Sequence, residues 1–195
     1  MAIDASNVKK LREQTGAGVL DCKNALEKSD GDFEKATESL RKKGLAKAAK
    51  KDSRGTPEGR VDSYIHTNGK IGVLIEVNCE TDFVARNDVF AELVKALCMQ
   101  IAATDPISTS REAISQETIE KEKKSYSEDF KDKPDNVRDK IIEGKMENFY
   151  KENCLLDQTF IKDNDQTVGD LLKNAIAKLG ENIKINRFAR FAIGE

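Results

Sequence analysis

The sequence predicts an α+β protein, in which a module of three short helices precedes a core made of a small antiparallel three-stranded sheet packed with helices. Three patterns support this fold class. Apolar residues recur at helical spacing over roughly the first 44 residues. Two runs of alternating apolar residues then meet at Asn68-Gly69, and a further alternating run, from Ile183 to Ile193, closes the chain.

The leading helices are separated by short breaks that contain glycine. The first helix ends at Thr15-Gly16, the second ends at Ser29-Asp30-Gly31, and the third follows Asp32, a residue type that caps helix N-termini well. We expect Gly44 to close this third helix. Each helix has an apolar face, which predicts one shared core formed by Val8, Leu11, Val19, Cys22, Ala25, Leu26, Phe33, Ala36 and Leu40.

A basic segment separates the two parts of the chain. Lys47, Lys50, Lys51 and Arg54 lead into Gly55-Thr56-Pro57-Glu58-Gly59, a run of residues that interrupts helices. Such a charge cluster is typical of a solvated linker, and contact with an acidic partner is the alternative. We therefore predict two domains: a helical module with its basic linker over residues 1–54, and the α+β core with the dimerisation surface over residues 55–195.

The core begins with a predicted β-hairpin. Asn68-Gly69 between two alternating runs predicts a two-residue turn, because this dipeptide tolerates positive φ at both central positions. The last strand carries apolar residues on parts of both faces, so a sheet face left uncovered is a candidate surface for self-association. A packed turn is expected over 155–161, and helices are expected from Phe90 to Ala102, over 116–131, over 135–153, and from the cap Thr167 to Gly180.

Charge and hydropathy narrow the functional classes. The formal net charge is -2, which provides no overall attraction for nucleic acid. No apolar run reaches the length of a bilayer span, and the N-terminus lacks the apolar segment of a secretory signal. We therefore expect a cytoplasmic protein with no membrane partner and no direct nucleic-acid partner.

The residues that carry most enzyme chemistry are sparse and scattered. Cys22, Cys79, Cys98 and Cys154 lie far apart, and the single histidine, His66, completes no zinc pattern. We predict buried free thiols, no metal and no cofactor. The sequence contains no phosphate-binding loop, nucleophile elbow, zinc-protease helix or dinucleotide fingerprint. The residues alone thus favour an interaction protein over an enzyme.

One stretch, Glu80-Thr81-Asp82-Phe83-Val84-Ala85-Arg86-Asn87, has the features of a contact site. It follows a predicted strand, precedes a predicted helix, and places an acid and a large aromatic, Asp82 and Phe83, side by side in a turn. Phe83, Phe90 and Leu97 recur every seven residues, and this spacing alone favours burial of Phe83. Asn87, acting as an N-cap, would instead start the helix after Phe83 and leave the aromatic in the turn.

Several motifs occur in a specific order along the chain. Thr15-Gly16-Ala17-Gly18 and Asp21-Cys22-Lys23 lie in the leading helices, and Thr81-Asp82-Phe83-Val84-Ala85-Arg86-Asn87 follows a strand ending in Val77-Asn78-Cys79. The tail contains Leu155-Leu156, Phe160-Ile161-Lys162-Asp163 and Arg187-Phe188-Ala189-Arg190-Phe191. Over nearly its whole length the chain therefore resembles the bacterial translation elongation factor Ts family. It looks like the short form, with one core repeat and no coiled-coil insertion.

The resemblance implies a guanine-nucleotide exchange factor for the GTPase elongation factor Tu, active in translation elongation and without bond chemistry. In the family the aromatic at the position of Phe83 inserts between helices of the GTPase, while the acid at Asp82 disturbs the surroundings of magnesium and phosphate. The implied exchange contacts are Thr81, Asp82, Phe83, Val84 and Arg86.

The resemblance also covers the helical module and the sheet. The module is similar to a ubiquitin-associated-type fold, which in the family docks on the nucleotide domain of the GTPase. Val19-Leu20 stands where many members have bulkier methionines. Short members are expected to pair as homodimers through the core sheet. The module contacts implied by the resemblance are Arg12, Val19, Leu20 and Lys23.

Two rival classes make different predictions. A general adaptor would hold a peptide or ubiquitin-like partner through residues 1–54 alone, and changes at Phe83 would be silent. A cysteine-dependent enzyme would lose its activity when all four thiols are replaced by serine. An exchange factor should keep its function after the thiol replacement and lose it after a change at Phe83.

Overall fold

The structure, a computed structural model, describes residues 4–194 and confirms the α+β fold class. The chain forms two compact units. Unit 1 contains the chain up to Gly59, Asn78–Leu93 and Leu172–Lys184, and unit 2 contains Arg60–Val77, Val94–Leu171 and the chain from Ile185 onward. The division into domains at residue 54 stays a prediction.

The described chain has eight α-helices and five strands. The helices are α1 Ala5–Thr15, α2 Val19–Lys28, α3 Phe33–Ala49, α4 Asp82–Ala85, α5 Asp88–Thr104, α6 Gln116–Asp129, α7 Asp135–Asn153 and α8 Val168–Leu179. The strands are β1 Glu58–Ile65, β2 Ile71–Cys79, β3 Thr159–Phe160, β4 Asp163–Thr167 and β5 Ile183–Ala192. Short 3-10 helices occupy Arg111–Ala113 and Leu155–Asp157.

The three leading helices form the predicted core in unit 1. The carboxylate of Asp32 caps α3 by accepting the Lys35 N–H over 3.1 Å, as the sequence indicates. Val19 was expected in this core but is exposed. The buried residues of the core are Leu11, Cys22, Ala25, Leu26, Ala36 and Leu40, with Val8, Ala17 and Phe33 packed against them.

The prediction that Gly44 closes α3 is wrong, because the helix continues to Ala49. A side chain at residue 44 would place its Cβ 3.3 Å from the Cβ of Ala177 in α8. Glycine inside a helix costs roughly 1 kcal/mol relative to alanine. At this position it permits the close approach of α3 and α8 rather than ending the helix.

The basic segment is largely exposed to solvent, but several of its groups have defined partners within unit 1. Lys47 forms an ion pair with Asp21 at 2.7 Å. The side-chain amide of Asn182 donates hydrogen bonds to the carbonyl oxygens of Asp52 and Arg54 over 3.2 and 2.9 Å. These hydrogen bonds hold residues 52–54 in place within unit 1. The charge composition of the segment does not predict them.

The hairpin forms at the predicted place but with a longer loop. The His66 N–H donates to the Ile71 carbonyl over 2.9 Å, and five residues, 66–70, rather than two separate β1 from β2. Gly69 has a positive φ of 68°, whereas Asn68 does not. The Asn68 side chain instead accepts the Lys70 N–H over 2.9 Å and so stabilises the loop by a local hydrogen bond.

The three-stranded sheet has the order β1-β2-β5, so the last strand pairs with the second strand of the hairpin. One face of β2 is buried through Val73, Ile75 and Val77. The opposite sheet face is left uncovered and is rich in apolar side chains. We call this the open sheet face; its exposed members are Val61, Ile65, Leu74, Phe191 and Ile193.

The charged helices α6 and α7 match the predicted ranges to within two residues. Met146 and Phe149 of α7 are buried together with Ile114 and Cys154. Val137 was expected on the same face, but its side chain is 41% exposed. The apolar face of α7 therefore begins later along the helix than its sequence pattern indicates.

The segment predicted as a packed turn over 155–161 contains the short 3-10 helix and β3, and β3 pairs with the following β4 in a second, two-stranded sheet. A buried amide pair supports it. Gln100 on α5 donates to the side-chain oxygen of Gln158 over 3.1 Å and accepts the Ile161 N–H over 2.9 Å. Both hydrogen-bonding ends of this buried glutamine are thus satisfied, as burial of an amide requires.

Candidate functional site

The stretch between β2 and α5, predicted to be a turn, contains a single helical turn, α4. Thr81 precedes it as the N-cap: its hydroxyl accepts the Val84 N–H over 3.5 Å, and its carbonyl accepts the Ala85 N–H over 3.2 Å. Asn87 starts the next helix, since its side chain accepts the Val89 N–H over 2.9 Å. This confirms the predicted N-cap and separates α4 from α5.

Phe83 is the most exposed large apolar side chain at this site, with 83% of its surface accessible. Phe90 and Leu97, the other two members of the seven-residue series, are buried. The series therefore describes the buried face of α5 and does not extend to Phe83. An aromatic ring that remains exposed to water contributes little to the stability of the fold, so it is available to bind a partner.

Charged groups flank Phe83. Asp82 and Arg86 form an ion pair at 3.1 Å across one helical turn, and both side chains are accessible to solvent. Surface pairs of this kind contribute about 0–1 kcal/mol, so either partner can exchange this contact for one with another molecule at small cost. Val84, the remaining predicted contact, is half-buried.

The N-cap of α4 is held by a residue that the sequence did not single out. The carboxylate of Glu181 accepts the Thr81 N–H over 3.0 Å and the Thr81 hydroxyl over 2.7 Å. The adjacent Asn182 donates its backbone N–H to Glu80 over 2.6 Å. The only local signal is that Glu181 and Asn182 follow the helix-ending Gly180, and no periodicity links them to residues one hundred positions earlier.

A network of hydrogen bonds also fixes the charge of Glu80. Its carboxylate accepts the Asn182 N–H and lies 3.4 Å from the guanidinium of Arg54. These contacts, the backbone hydrogen bond first, lower the pKa of the Glu80 carboxyl group below its ordinary value. Glu80 is therefore ionised at neutral pH and available to accept both contacts.

The second predicted contact set lies at the start of α2. Leu20 is 69% exposed, and Val19 and Lys23 are exposed as well. Residues three or four apart share one side of a helix, so Leu20 and Val19 lie on the same side as Lys23. Arg12 is exposed in the last turn of α1. The set is thus an accessible apolar pair bordered by cations.

The start of α2 is fixed to α3 through Asp21. Its carboxylate oxygens lie 2.7 Å from the ammonium groups of both Lys43 and Lys47. These hydrogen bonds, with Lys43 first, lower the pKa of Asp21. Because Asp21 follows Leu20 directly, these pairs orient the first turn of α2 and its exposed apolar side chains. Asp21 was part of a recognised motif, but this role was not predicted.

Both predicted contact sets belong to unit 1, although about sixty residues separate them in sequence. The module contributes α1 and α2, and the segment Asn78–Leu93 contributes α4. Unit 1 thus contains every residue of the two sets.

All four cysteines are free and buried, as predicted. Burial raises the pKa of Cys98 to about 12 and that of Cys154 to about 11. Within residues 4–194, no group of three or more His, Cys, Asp or Glu side chains is arranged to bind a metal ion. No helix among the same residues has the length and apolar character needed to cross a membrane.

A family model described as Elongation factor TS matches residues 44–195 of this chain. The chain belongs to the elongation factor Ts family. It is 59% identical over 197 residues to an Elongation factor Ts from Fervidobacterium nodosum, covering 100% of both chains. It is 58% identical to that of Caldanaerobacter subterraneus, covering 99% of this chain and 98% of the relative. For Thermotoga maritima the identity is 55%, covering 100% of this chain and 98% of the relative.

Membership in the elongation factor Ts family supports a role as a nucleotide-exchange factor in translation elongation. The relatives match this chain from end to end, and the family model includes α4 and the sheet. The leading helices lie outside the residues matched by the family model but inside the full-length matches.

Proposed function

We propose that this chain is a guanine-nucleotide exchange factor for the GTPase elongation factor Tu, and that it promotes GDP release through Asp82 and Phe83. The observation that carries this proposal is the exposure of Phe83 on a capped helical turn. A large apolar ring that is held in water on an ordered backbone is suited to insert into a partner.

The mechanism follows from linked binding equilibria. An exchange factor binds the nucleotide-free GTPase more tightly than the loaded form, so by reciprocity the GTPase bound to the factor holds its nucleotide more weakly. No covalent bond forms or breaks, and no general acid or base is needed. Phe83 contributes by inserting its ring between helices of the GTPase, the role that the family resemblance implies for this position.

Asp82 supplies the electrostatic part of the proposal. A carboxylate brought near bound magnesium and phosphate competes for the cation and repels the phosphates, because like charges in a dehydrated interface interact strongly. Its ion pair with Arg86 is exposed and readily broken. We assign Thr81, Val84 and Arg86 to the same contact surface because they form or flank α4.

We propose that Arg12, Val19, Leu20 and Lys23 form a second contact, with the nucleotide domain of the GTPase. Val19 and Leu20 are exposed apolar side chains on a first helical turn that Asp21 orients. A contact of this kind would supply affinity without acting on the nucleotide itself. The exchange contact and the affinity contact are then separable by mutation.

We further propose that two copies of the chain pair through the open sheet face. Phe191 on this face is 72% exposed, and the neighbouring side chains are aliphatic. An exposed apolar cluster on a sheet is costly in water and favours association. Together with the absence of a basic net charge, these surfaces favour protein partners over direct contact with nucleic acid. We propose a cytoplasmic location because translation elongation takes place there.

The decisive experiment measures release of fluorescent GDP from purified elongation factor Tu as a function of the concentration of this protein. We expect strong acceleration by the natural chain. We expect Phe83→Ala to lose about 2 kcal/mol of interface energy, or roughly thirty-fold in efficiency, which is the size of a hot-spot truncation. The melting temperature should stay unchanged because Phe83 is exposed.

Ile107→Ala is the matched control, since Ile107 is also an exposed large apolar side chain but lies outside both contact sets. It should accelerate release like the natural chain. Normal exchange by Phe83→Ala would reject the assignment of the site. No acceleration by the natural chain would favour the adaptor class, which predicts that residues 1–54 alone retain the partner.

A further inference from the structure

The N-cap of α4 has all its hydrogen-bonding groups occupied. Within the turn, the Thr81 hydroxyl and carbonyl accept the N–H groups of Val84 and Ala85. Outside the turn, the Thr81 N–H and hydroxyl hydrogen both point to Glu181. The two kinds of contact are joined at one oxygen, because the hydroxyl accepts from the turn and donates to Glu181.

Glu181 is therefore placed to control the population of the helical turn that carries Phe83. A four-residue helix has no stability of its own, because forming the first turn fixes several backbone angles for one hydrogen bond. A carboxylate that accepts two hydrogen bonds from the N-cap residue supplies strong, charge-assisted contacts. The paired contact of Asn182 with Glu80 fixes the residue immediately before the cap.

We infer that Glu181 is a positioning residue for nucleotide exchange, which orders α4 and so presents Phe83 in its binding conformation before the partner arrives. This inference rests on the proposed function. Glu181 acts through Thr81, and its two carboxylate oxygens are both directed at that residue. Together with Asn182 it forms a two-residue clamp just before β5 that holds Glu80 and Thr81 just after β2.

The expected effect on exchange follows from the fraction of the free protein in which α4 is formed. If only a fraction of the free protein has α4 formed, the apparent dissociation constant rises by the inverse of that fraction, while the fully bound complex is unchanged. Loss of the clamp should therefore raise the concentration of factor needed for half-maximal GDP release. The maximal release rate should remain that of the natural chain.

The experiment uses the full-length protein and elongation factor Tu loaded with fluorescent GDP. For Glu181→Ala we expect the half-saturating concentration to rise by about tenfold, with the same maximal rate. Glu181→Gln keeps the size of the side chain but can accept at one atom only, so it should show an intermediate rise. Glu181→Gln also carries the test if the alanine variant does not fold.

Changes at Thr81 provide the matched pair. Thr81→Val keeps the shape but removes the hydroxyl, and with it one of the two hydrogen bonds to Glu181, so the half-saturating concentration should rise. Thr81→Ser keeps both the hydroxyl and the N–H, so its half-saturating concentration should rise less than that of Thr81→Val. A general loss of stability would not rank the two variants in this order, whereas loss of the hydroxyl hydrogen bond to Glu181 does.

A double-mutant cycle separates the inference from the function on which it rests. In the Phe83→Ala background, removal of Glu181 should raise the half-saturating concentration clearly less than it does in the natural chain, because the largest contact that requires the ordered turn is gone. A tenfold rise in the half-saturating concentration in that background overturns the inference. The inference is also overturned if Glu181→Ala exchanges like the natural chain while Phe83→Ala exchanges poorly. Normal exchange by Phe83→Ala rejects the proposed function itself.

Discussion

The backbone N–H of Asn182 donates to the carboxylate of Glu80 over 2.6 Å, although the two residues lie about one hundred positions apart in sequence. This contact joins the residue just before β5 to the residue just after β2 inside unit 1. It leaves the side chain of Asn182 free to hold the carbonyl groups of Asp52 and Arg54. One buried asparagine thus fixes both the end of the leading module and the approach to α4.

This relationship predicts a pH dependence of stability. The pKa of Glu80 lies below its ordinary value of 4.5 in the folded chain, so folding favours the ionised carboxylate. The stabilisation is fully present above pH 4.5 and is lost as the pH falls through the folded pKa. We expect Glu80→Gln to be less stable than the natural chain at pH 7, and the difference in free energy of unfolding to shrink at pH 3. Urea denaturation at both pH values measures it, and a pH-independent difference would contradict the assignment.

A second prediction concerns Arg111 in unit 2. Its guanidinium group lies 2.8 Å from Glu147 and 2.7 Å from Asp157, and 4.8 Å from the centre of the Tyr150 ring. The hydrogen bonds that Arg111 donates to Asp157 and Glu147 raise the pKa of its guanidinium group above the ordinary value. Lysine would keep the charge but lose the forked geometry and the stacking. We expect Arg111→Lys to lower the free energy of unfolding by about 1 kcal/mol.

Arg138→Lys is the matched control, since Arg138 pairs with Asp135 alone across one turn of α7. Isolated surface pairs of this kind contribute little, so this variant should stay within about 0.5 kcal/mol of the natural chain. Thermal unfolding of both variants by circular dichroism gives the comparison. Equal losses at the two positions would show that the network around Arg111 adds nothing beyond a single pair.

The elements that the sequence predicted well are those with long periodic patterns or strong caps. The ranges of α6, α7 and α8 and the N-caps Asp32, Asn87 and Thr167 rest on signals contained within a few residues. The exposure of Phe83 followed from the same local logic, since Asn87 starts α5 after it. The seven-residue spacing alone predicts that Phe83 is buried, because such spacing contains no information about where a helix begins.

The features that were missed depend on contacts between distant residues. β3 has only two residues, too few to show alternation, and it is supported by Gln100 from a helix earlier in the chain. Gly44 continues α3 because Ala177 packs against it. The hydrogen bonds that Thr81 donates to Glu181 have no sequence signal beyond the position of Glu181 after the helix-ending Gly180. A single sequence does not show which distant residue an amino acid contacts, or how close the two residues lie in the fold.

The thiols give a prediction that separates an exchange factor from a cysteine-dependent enzyme. At pH 8 the raised pKa of Cys98, about 12 against an ordinary 9.0, makes its thiolate fraction about a thousandfold smaller than that of a free thiol. All four thiols are also shielded by burial. We expect a colorimetric thiol reagent to label the native protein very slowly and to titrate four thiols in guanidinium. Rapid labelling of one native thiol would contradict this expectation and reopen the enzyme class.

Pairing through the open sheet face predicts a specific effect of charge. Phe191→Glu would place a carboxylate in the apolar contact between two copies, where it has no partner, so the dimer should dissociate. Phe83→Glu is the matched control, because it makes the same substitution at a similarly exposed aromatic and should leave the dimer intact. Light scattering after size exclusion gives the mass of each. A natural chain that stays monomeric at all concentrations, or a dimeric Phe191→Glu variant, would reject this interface.

The proposed division between an affinity contact and an exchange contact predicts a different kinetic effect at Leu20. Leu20→Asp removes an exposed apolar contact and adds a charge without disturbing the core, because Leu20 is 69% exposed. We expect the half-saturating concentration for GDP release to rise roughly tenfold, or about 1.4 kcal/mol, with an unchanged maximal rate. Ile107→Asp is the control for a new charge at an exposed apolar position. A reduced maximal rate for Leu20→Asp would place this residue in the exchange step itself, and an unchanged concentration dependence would remove it from the interface.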